Sequence, residues 1–308
     1  MILLQGKDGF MTEGKRRLAI IHNPISGFRN KSRFARALLA LSEADCEVEI
    51  LKTERPRHAE DLAKELAARN DPDLAIVAAG GDGTVAEILN GLDDARVPLG
   101  VIPLGTANVL ARELGIGTSI QKAVETLVTA TPCLVHSGRA NERRFLLMVG
   151  AGYDSLAVAA LNPAEKRKFG AIAYVLAGFR AIGSFGALQL RLRTESEVSS
   201  GGTIIVTNVR HYGGGFIIAP DAGLERPGFD VLILKGSGFF NAIRYGLALI
   251  SGRLPHLKDV EMWQDLREMT LEADQPFPCQ YDGDGGLLTP VHITFKENSI
   301  LILKPADS

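Results

Sequence analysis

The chain has 308 residues, 46% of them apolar and 23% charged, a globular usage that excludes disordered and fibrous classes. Its 34 basic and 36 acidic residues leave a net charge of −2, so no global basic excess points to nucleic acid. Cys46, Cys133 and Cys279 are odd in number and far apart, which argues against disulfide or zinc frameworks and fits a reducing cytosol.

At roughly 150 residues per domain, the length predicts two domains. The N-terminal MILLQGKDGFMTEGKRR holds too short an apolar run for a signal peptide, and Met11 is an alternative start. The most membrane-like stretch, FGAIAYVLAGFRAIGSFGAL (169–188), is interrupted by Arg180 and four glycines, whereas a spanning helix wants about 20 mostly apolar residues. The expectation is a cytoplasmic protein.

Up to about residue 130, strand and helix patterns alternate. LAIIHNP (18–24) reads as a strand ended by Asn-Pro, and KSRFARALLALSEAD (31–45) as a helix. CEVEILKT (46–53) alternates as a strand, and RHAEDLAKELAARN (57–70) is helical. DLAIVAAGGDG (73–83) is a buried strand breaking at glycines, followed by the amphipathic TVAEILNGL (84–92). LGVIPLG (99–105) and a helix around 118–130 complete the series. This alternation predicts an α/β domain with a doubly wound, mostly parallel sheet.

After about residue 133 the rhythm changes to short strands separated by turn signals: FLLMVGAG (145–152), ALQLRLR (187–193), TIIVTNV (203–209), FDVLIL (229–234), MTLEA (269–273) and VHITF (291–295). Helical patches fall at 164–182 and 238–252. A mainly antiparallel second domain follows. The predicted division is 1–135 for the α/β domain, with residues 296–308 returning to it, and 136–295 for a β-sandwich.

The chemistry concentrates in glycine turns. Gly80-Gly81-Asp82-Gly83-Thr84 stands at the C-terminal end of a strand and opens a helix, where free N–H donors and the positive dipole end favour phosphate. It is neither a P-loop nor a GxGxxG fingerprint. Asn23-Pro24-Ile25-Ser26-Gly27 and Pro103-Leu104-Gly105-Thr106-Ala107-Asn108 close two further strands on the same predicted edge. One such turn reads as an ordinary βα connection; three together favour a ligand.

The ordered set NPISG, GGDGTVAEILNG, PLGTANVLARELG, VGAGYD and YDGDG resembles the diacylglycerol kinase catalytic family of lipid kinases, over about residues 17–305. GGDGT alone is shared with NAD kinases and 6-phosphofructokinases. The resemblance implies an NAD kinase/phosphofructokinase-like first domain that binds ATP, and a β-sandwich that carries the lipid site. It also implies nucleotide contacts at Asn23, Pro24, Ser26, Gly27, Thr53, Gly81, Asp82, Gly83, Thr84, Glu87 and Thr106; Gly80, Gly105 and Asn108 belong to the same turns.

Phosphorylating a hydroxyl requires a carboxylate to accept its proton and cations to neutralise phosphate. By the resemblance, Asp282 in Tyr281-Asp282-Gly283-Asp284-Gly285 is that acceptor, accessible at a turn. Asp284 stands where the family has Glu. Taken alone, YDGDGG reads more readily as a hairpin turn. Mg²⁺ is expected with ATP, with Asp82 the nearest protein carboxylate. The resemblance also implies a structural Mg²⁺ between the domains, but the chain departs from the pattern at His136, Glu225, Arg226 and Val109. Arg cannot ligate Mg²⁺ and His suits it poorly, so that metal is expected to be absent, with Arg226 placed as a fixed charge near Asp82.

On the acceptor side, Lys166, Arg167 and Lys168 precede an apolar helix that reads equally as a bilayer-docking element or as core. Phe239, Phe240, Ile243, Leu247 and Ile250 form a second stripe, expected to be core. Tyr212-Gly213-Gly214-Gly215 reads as cleft lining or as a flexible turn. His22, His58, His211, His256 and His292 show no ligand spacing. The leading expectation is an ATP-dependent lipid kinase of phospholipid metabolism, working peripherally at the inner membrane face on a lipid partner, with no nucleic acid. A NAD kinase-like enzyme and a non-catalytic nucleotide- or lipid-binding protein are the alternatives. Diacylglycerol, sphingoid bases and phosphatidylglycerol stay open as acceptors, as does a homodimer.

Overall fold

The computed structural model describes residues 15–25, 31–93, 96–153, 155 and 189–306. Strands β1 (Arg17–His22), β2 (Glu47–Lys52), β3 (Leu74–Gly80) and β4 (Leu99–Pro103) pair in parallel in the order β2-β1-β3-β4. Helices α1 (Lys31–Glu43), α2 (His58–Ala67), α3 (Asp82–Leu92), α4 (Val109–Glu113) and α5 (Ile120–Thr129) accompany them. β3 is buried along its whole length because both faces are covered. Ile76 and Ala78 pack with residues of α2 and α3, and Val77 and Ala79 pack with residues of α1 and α5.

The remainder comprises β5 (Pro132–Ala140), β6 (Arg143–Phe145), β7 (Met148–Ala151), β8 (Leu190–Arg193), β9 (Val198–Gly201), β10 (Thr203–Thr207), β11 (His211–Tyr212), β12 (Phe216–Ile217), β13 (Phe229–Leu234), α6 (Phe239–Ile250), β14 (Val260–Leu266), β15 (Glu268–Ala273), β16 (Pro278–Tyr281), β17 (Asp284–Leu288) and β18 (Val291–Leu303). One layer runs β18-β15-β8-β9 and the other β14-β13-β10-β7-β16-β17. Between them lie Phe145, Leu192, Val206, Phe229, Leu271 and Ile293, all fully buried. Emptying one of the two phenylalanine sites would cost roughly 3–5 kcal/mol.

β18 ties the halves together. It is antiparallel to β15 and β5, and its Ile302 aligns in parallel with Leu99 of β4. The expected division at 295/296 falls inside this strand, where the register with β5 shifts between Lys296 and Ile300.

The second apolar stripe is a helix, α6, but it is not core. Ala242, Tyr245 and Ala248 make its buried face, while Phe240 is 84% exposed and Leu247 and Ile250 also face outward. The small alanines let α6 sit close, and Tyr245 is drawn inward because its hydroxyl donates to Asp259 and accepts from the Gly236 amide. That rotation turns the larger side chains to solvent. The segment 164–188, with Lys166, Arg167 and Lys168, lies outside the described residues.

Candidate active site

The ends of β1, β3 and β4 bring the three glycine turns into contact. The Leu104 and Gly105 amides both donate to the Gly80 carbonyl, at 2.9 and 3.0 Å. Asn23, just past β1, donates through Nδ2 to Thr84 Oγ1 at 3.4 Å and accepts the Ile25 amide on Oδ1. Asn108 is buried in the left-handed region and exchanges two hydrogen bonds with the Gly105 backbone, at 2.8 and 2.9 Å. Asp82 Oδ1 accepts the Leu110 amide at 3.1 Å, fastening the start of α4 to the start of α3.

The sandwich presents Asp282 to the same place. Tyr281 pairs with Asp284 across β16 and β17, leaving Asp282 and Gly283 as a two-residue turn, both at positive φ as a type I′ hairpin requires. The hairpin turn and the carboxylate singled out by the resemblance are therefore one feature. The side chain is not accessible, as expected from a turn, but only 4% exposed. It folds inward because β6 and β7 break at Leu146 and Leu147 and free their amides. Oδ2 accepts the Leu146 amide at 2.7 Å, and Oδ1 accepts those of Leu147 and Met148 at 2.8 and 3.0 Å. An ionised carboxylate offers about four acceptor positions. Three are filled, and one on Oδ2 remains.

Burial pushes the Asp282 carboxyl up to about 7; the three amides pull it down, and the neighbouring Asp82 charge adds to the rise. A carboxylate with that affinity for protons can exchange them near neutral pH. The Asp82 influence and the position of Asp284, whose Oδ1 would lie 3.5 Å from a Cβ on Gly83, put the hairpin over the GGDGT turn.

The remaining predicted positions divide by location. Thr53 donates its amide to the His22 carbonyl at the same strand edge, and Thr106 is exposed on the fourth-strand turn. Pro24 is exposed beside Asn23, and Ser26 and Gly27 lie outside the described residues. Glu87 faces the start of α2, where its oxygens accept the Arg57 and Ala59 amides at 3.1 and 3.0 Å. The glycine run after Tyr212 reaches the cleft: a Cβ on Gly214 would lie 3.8 Å from the Ala107 carbonyl oxygen. Sequence reasoning missed Arg112, whose Nε donates to that same carbonyl at 3.1 Å, and the Leu146–Met148 amides. Arg112 stood inside PLGTANVLARELG; the amides carry no side-chain signal at all.

The departures from the family's metal pattern build a different junction. His136 Nδ1 accepts the Asn298 amide, its Nε2 lies 3.2 Å from the Glu225 carbonyl oxygen, and Lys304 pairs with the Glu225 carboxylate. Arg226 is not placed beside Asp82. Its guanidinium is held by the Asp221 carbonyl, Asp230 and Asp265, because those acceptors surround the turn that carries it.

Residues 17–140 match the diacylglycerol kinase catalytic domain, and residues 147–303 match the YegS C-terminal NAD kinase beta sandwich-like domain. The diacylglycerol kinase of Bacillus subtilis (strain 168) is 30% identical over 299 residues, covering 95% of this chain and 97% of its own. That of Staphylococcus aureus (strain MRSA252) is 29% identical over 304 residues, covering 95% and 94%. The crystal structure of a diacylglycerol kinase from Bacillus anthracis str. Sterne shares the fold, with a TM-score of 0.75 at 23% identity over 96% of this chain and 99% of that one. An α/β domain joined to an antiparallel sandwich, matched in both halves, defines a kinase of the lipid-kinase class. The chain belongs to the diacylglycerol kinase family.

Proposed function

We propose that the protein is an ATP-dependent lipid kinase with Asp282 as its general base. The observation that carries this reading is the buried Asp282 carboxylate, held by three backbone amides beside the GGDGT turn, with one acceptor position left. The amides fix the carboxylate so that Oδ2 can orient a lipid hydroxyl and take its proton. The hydroxyl oxygen then bonds to the γ-phosphorus, the bond to the bridging oxygen breaks, and ADP leaves. Gly81 to Gly83 and Thr106 to Asn108 cradle the phosphates with backbone N–H groups.

Mg²⁺ fits this arrangement as a companion of the nucleotide. Among the described residues no three ligating side chains cluster to hold a metal by themselves. Asp82 and Asp284 would supply the one or two carboxylates that Mg²⁺ takes alongside phosphate oxygens and water. Bound there, it would neutralise phosphate charge.

Diacylglycerol is the acceptor favoured by the names of the relatives. The approach to lipid is assigned to α6, where Phe240, Leu247 and Ile250 are exposed and Arg253 and Lys258, both exposed, follow the helix. An apolar face flanked by basic residues suits an anionic bilayer. Among the described residues no helix is long and apolar enough to cross a membrane, so the proposed association is peripheral. The deciding experiment supplies γ-labelled ATP with diacylglycerol, a sphingoid base, phosphatidylglycerol or NAD in separate reactions. Label in phosphatidic acid is expected; label only in NADP, or in none of the four, would overturn the reading.

A further inference from the structure

Away from the glycine turns, a cavity of about 330 Å³ opens at the C-terminal end of α3. At 1.5 Å per residue, the 11-residue helix places it about 16 Å from the GGDGT turn. Four cations line it: Arg96 from the α3–β4 connection, Arg139 from β5, Arg144 from β6 and Lys296 from β18. These elements come from both domains, and the β18 register shift forms part of the wall.

The arrangement is poor if its purpose is stability. Arg139 and Arg144 stand directly opposite each other across the β5–β6 ladder, where like charges destabilise. Arg144 is only 3% exposed; Asn90 of α3 brackets its backbone with two hydrogen bonds, and its Nη2 donates to the Ser299 carbonyl at 3.2 Å. Among the described residues two acidic groups adjoin the cluster. Asp93 accepts Arg139 Nη2 at 3.0 Å, and Glu297 is 3.6 Å from Arg267. The C-terminus of α3 adds roughly half a negative charge. Arg96 and Lys296 are exposed and have no acidic partner among the described residues. Among the described residues, then, four cations face two carboxylates in a concavity.

We propose that this cavity is a second binding site, for an anion of the phosphate class, separate from the nucleotide turns. Guanidinium groups match phosphate oxygens in forked geometry, and one of the three here, that of Arg144, is already immobilised. The volume is at the lower end for ligand pockets, enough for a phosphorylated head group as well as for the free ion. The source is therefore free phosphate or a phospholipid head group. This inference does not depend on the lipid-kinase reading.

The test uses the full chain and the double variant Arg96→Ala/Lys296→Ala, whose side chains are exposed and form no ion pair among the described residues. A control pair, Lys64→Ala/Lys122→Ala, removes the same charge from exposed helical sites elsewhere. Inorganic phosphate is titrated by calorimetry at constant ionic strength with a non-hydrolysable ATP analogue saturating the nucleotide turns. Losing two charge-assisted contacts should weaken phosphate binding at least tenfold, with the control pair unchanged. In the second arm, co-sedimentation compares phosphatidylglycerol/phosphatidylcholine vesicles with phosphatidylcholine alone. A loss confined to the first arm assigns the free ion, and a loss in the second assigns a lipid head group. Equal binding by wild type and double variant in both arms, or an equal loss in the control pair, would overturn the proposal.

Discussion

A Cβ on Gly105 would stand 2.4 Å from the Cα of Gly81, so the turns after β3 and β4 touch backbone to backbone. Gly81 meets it with backbone atoms, which cannot yield by rotating a side chain. Gly105→Ala is therefore expected to force the turns apart, costing about 1–3 kcal/mol of stability. Nucleotide affinity should fall by at least about tenfold, because the N–H groups no longer converge. Thermal melting and nucleotide titration check the two effects separately.

Asp282→Asn replaces one acceptor oxygen by an NH₂ group facing backbone amides that also donate. Phosphoryl transfer should drop by about 10²–10⁴-fold through loss of the base. Stability should fall by about 1–3 kcal/mol from the unpaired donors. ATP binding, which the proposed function places on the opposite domain, should change less than threefold, or about 0.6 kcal/mol. Retained transfer at the wild-type rate would remove Asp282 from the reaction.

The proton affinity of Asp282 sets a pH dependence. Burial raises its carboxyl from the ordinary 3.8 to about 7, so between these values the folded protein holds a proton that the unfolded chain has released. Its contribution to stability is full below about pH 4 and is lost as pH rises towards 7. Activity runs the other way, since only the ionised form accepts the hydroxyl proton. Turnover should rise about tenfold per pH unit below 7 and level off above it. Denaturant melts of wild type and Asp282→Asn across pH 4–8, beside a rate profile, would reveal both trends; a flat difference between the two proteins contradicts the assignment.

Arg143 and Glu60 join β6 to α2 through two hydrogen bonds of 3.0 and 2.8 Å, both side chains being mostly covered. Because β6 leads directly into the amides that hold Asp282, Arg143→Ala should destabilise by about 1–3 kcal/mol, the range for hydrogen bonds to charged groups. Chemical denaturation measures it, and an unchanged midpoint would show that the bridge adds nothing.

Phe240→Ser/Leu247→Ser removes two exposed apolar side chains from α6 without emptying a core site. Folding stability should stay within about 0.5 kcal/mol. The KM for lipid presented in vesicles should rise several-fold while the KM for ATP stays constant. Vesicle kinetics unaffected by the substitutions would move the lipid approach to another face.

Much of the parallel half was legible because its periodicities are local. TVAEILNGL repeats at helical spacing, and the glycines before it can only open a turn. The sandwich was less legible. The short strands β9, β16 and β17 carry little apolar alternation, and β16 pairs with β7, far back along the chain. The α6 stripe misled for a related reason: a helix reports which residues share a face, not which face meets the protein. Tyr245 and two alanines decided that. Arg226 was assigned to Asp82 by motif position, whereas the carboxylates of Asp230 and Asp265 stand nearer.

What the sequence determined unaided was the order of strands and helices in the first domain and the glycine turns at their ends. Both follow from residues within a few positions of one another. Tertiary structure alone decided the character of Asp282. The three amides that hold it come from 134 to 136 residues earlier in the chain, and the burial that raises its proton affinity exists only after two sheets have packed. Backbone donors have no signature in a list of side chains, so that environment had to be folded to be seen.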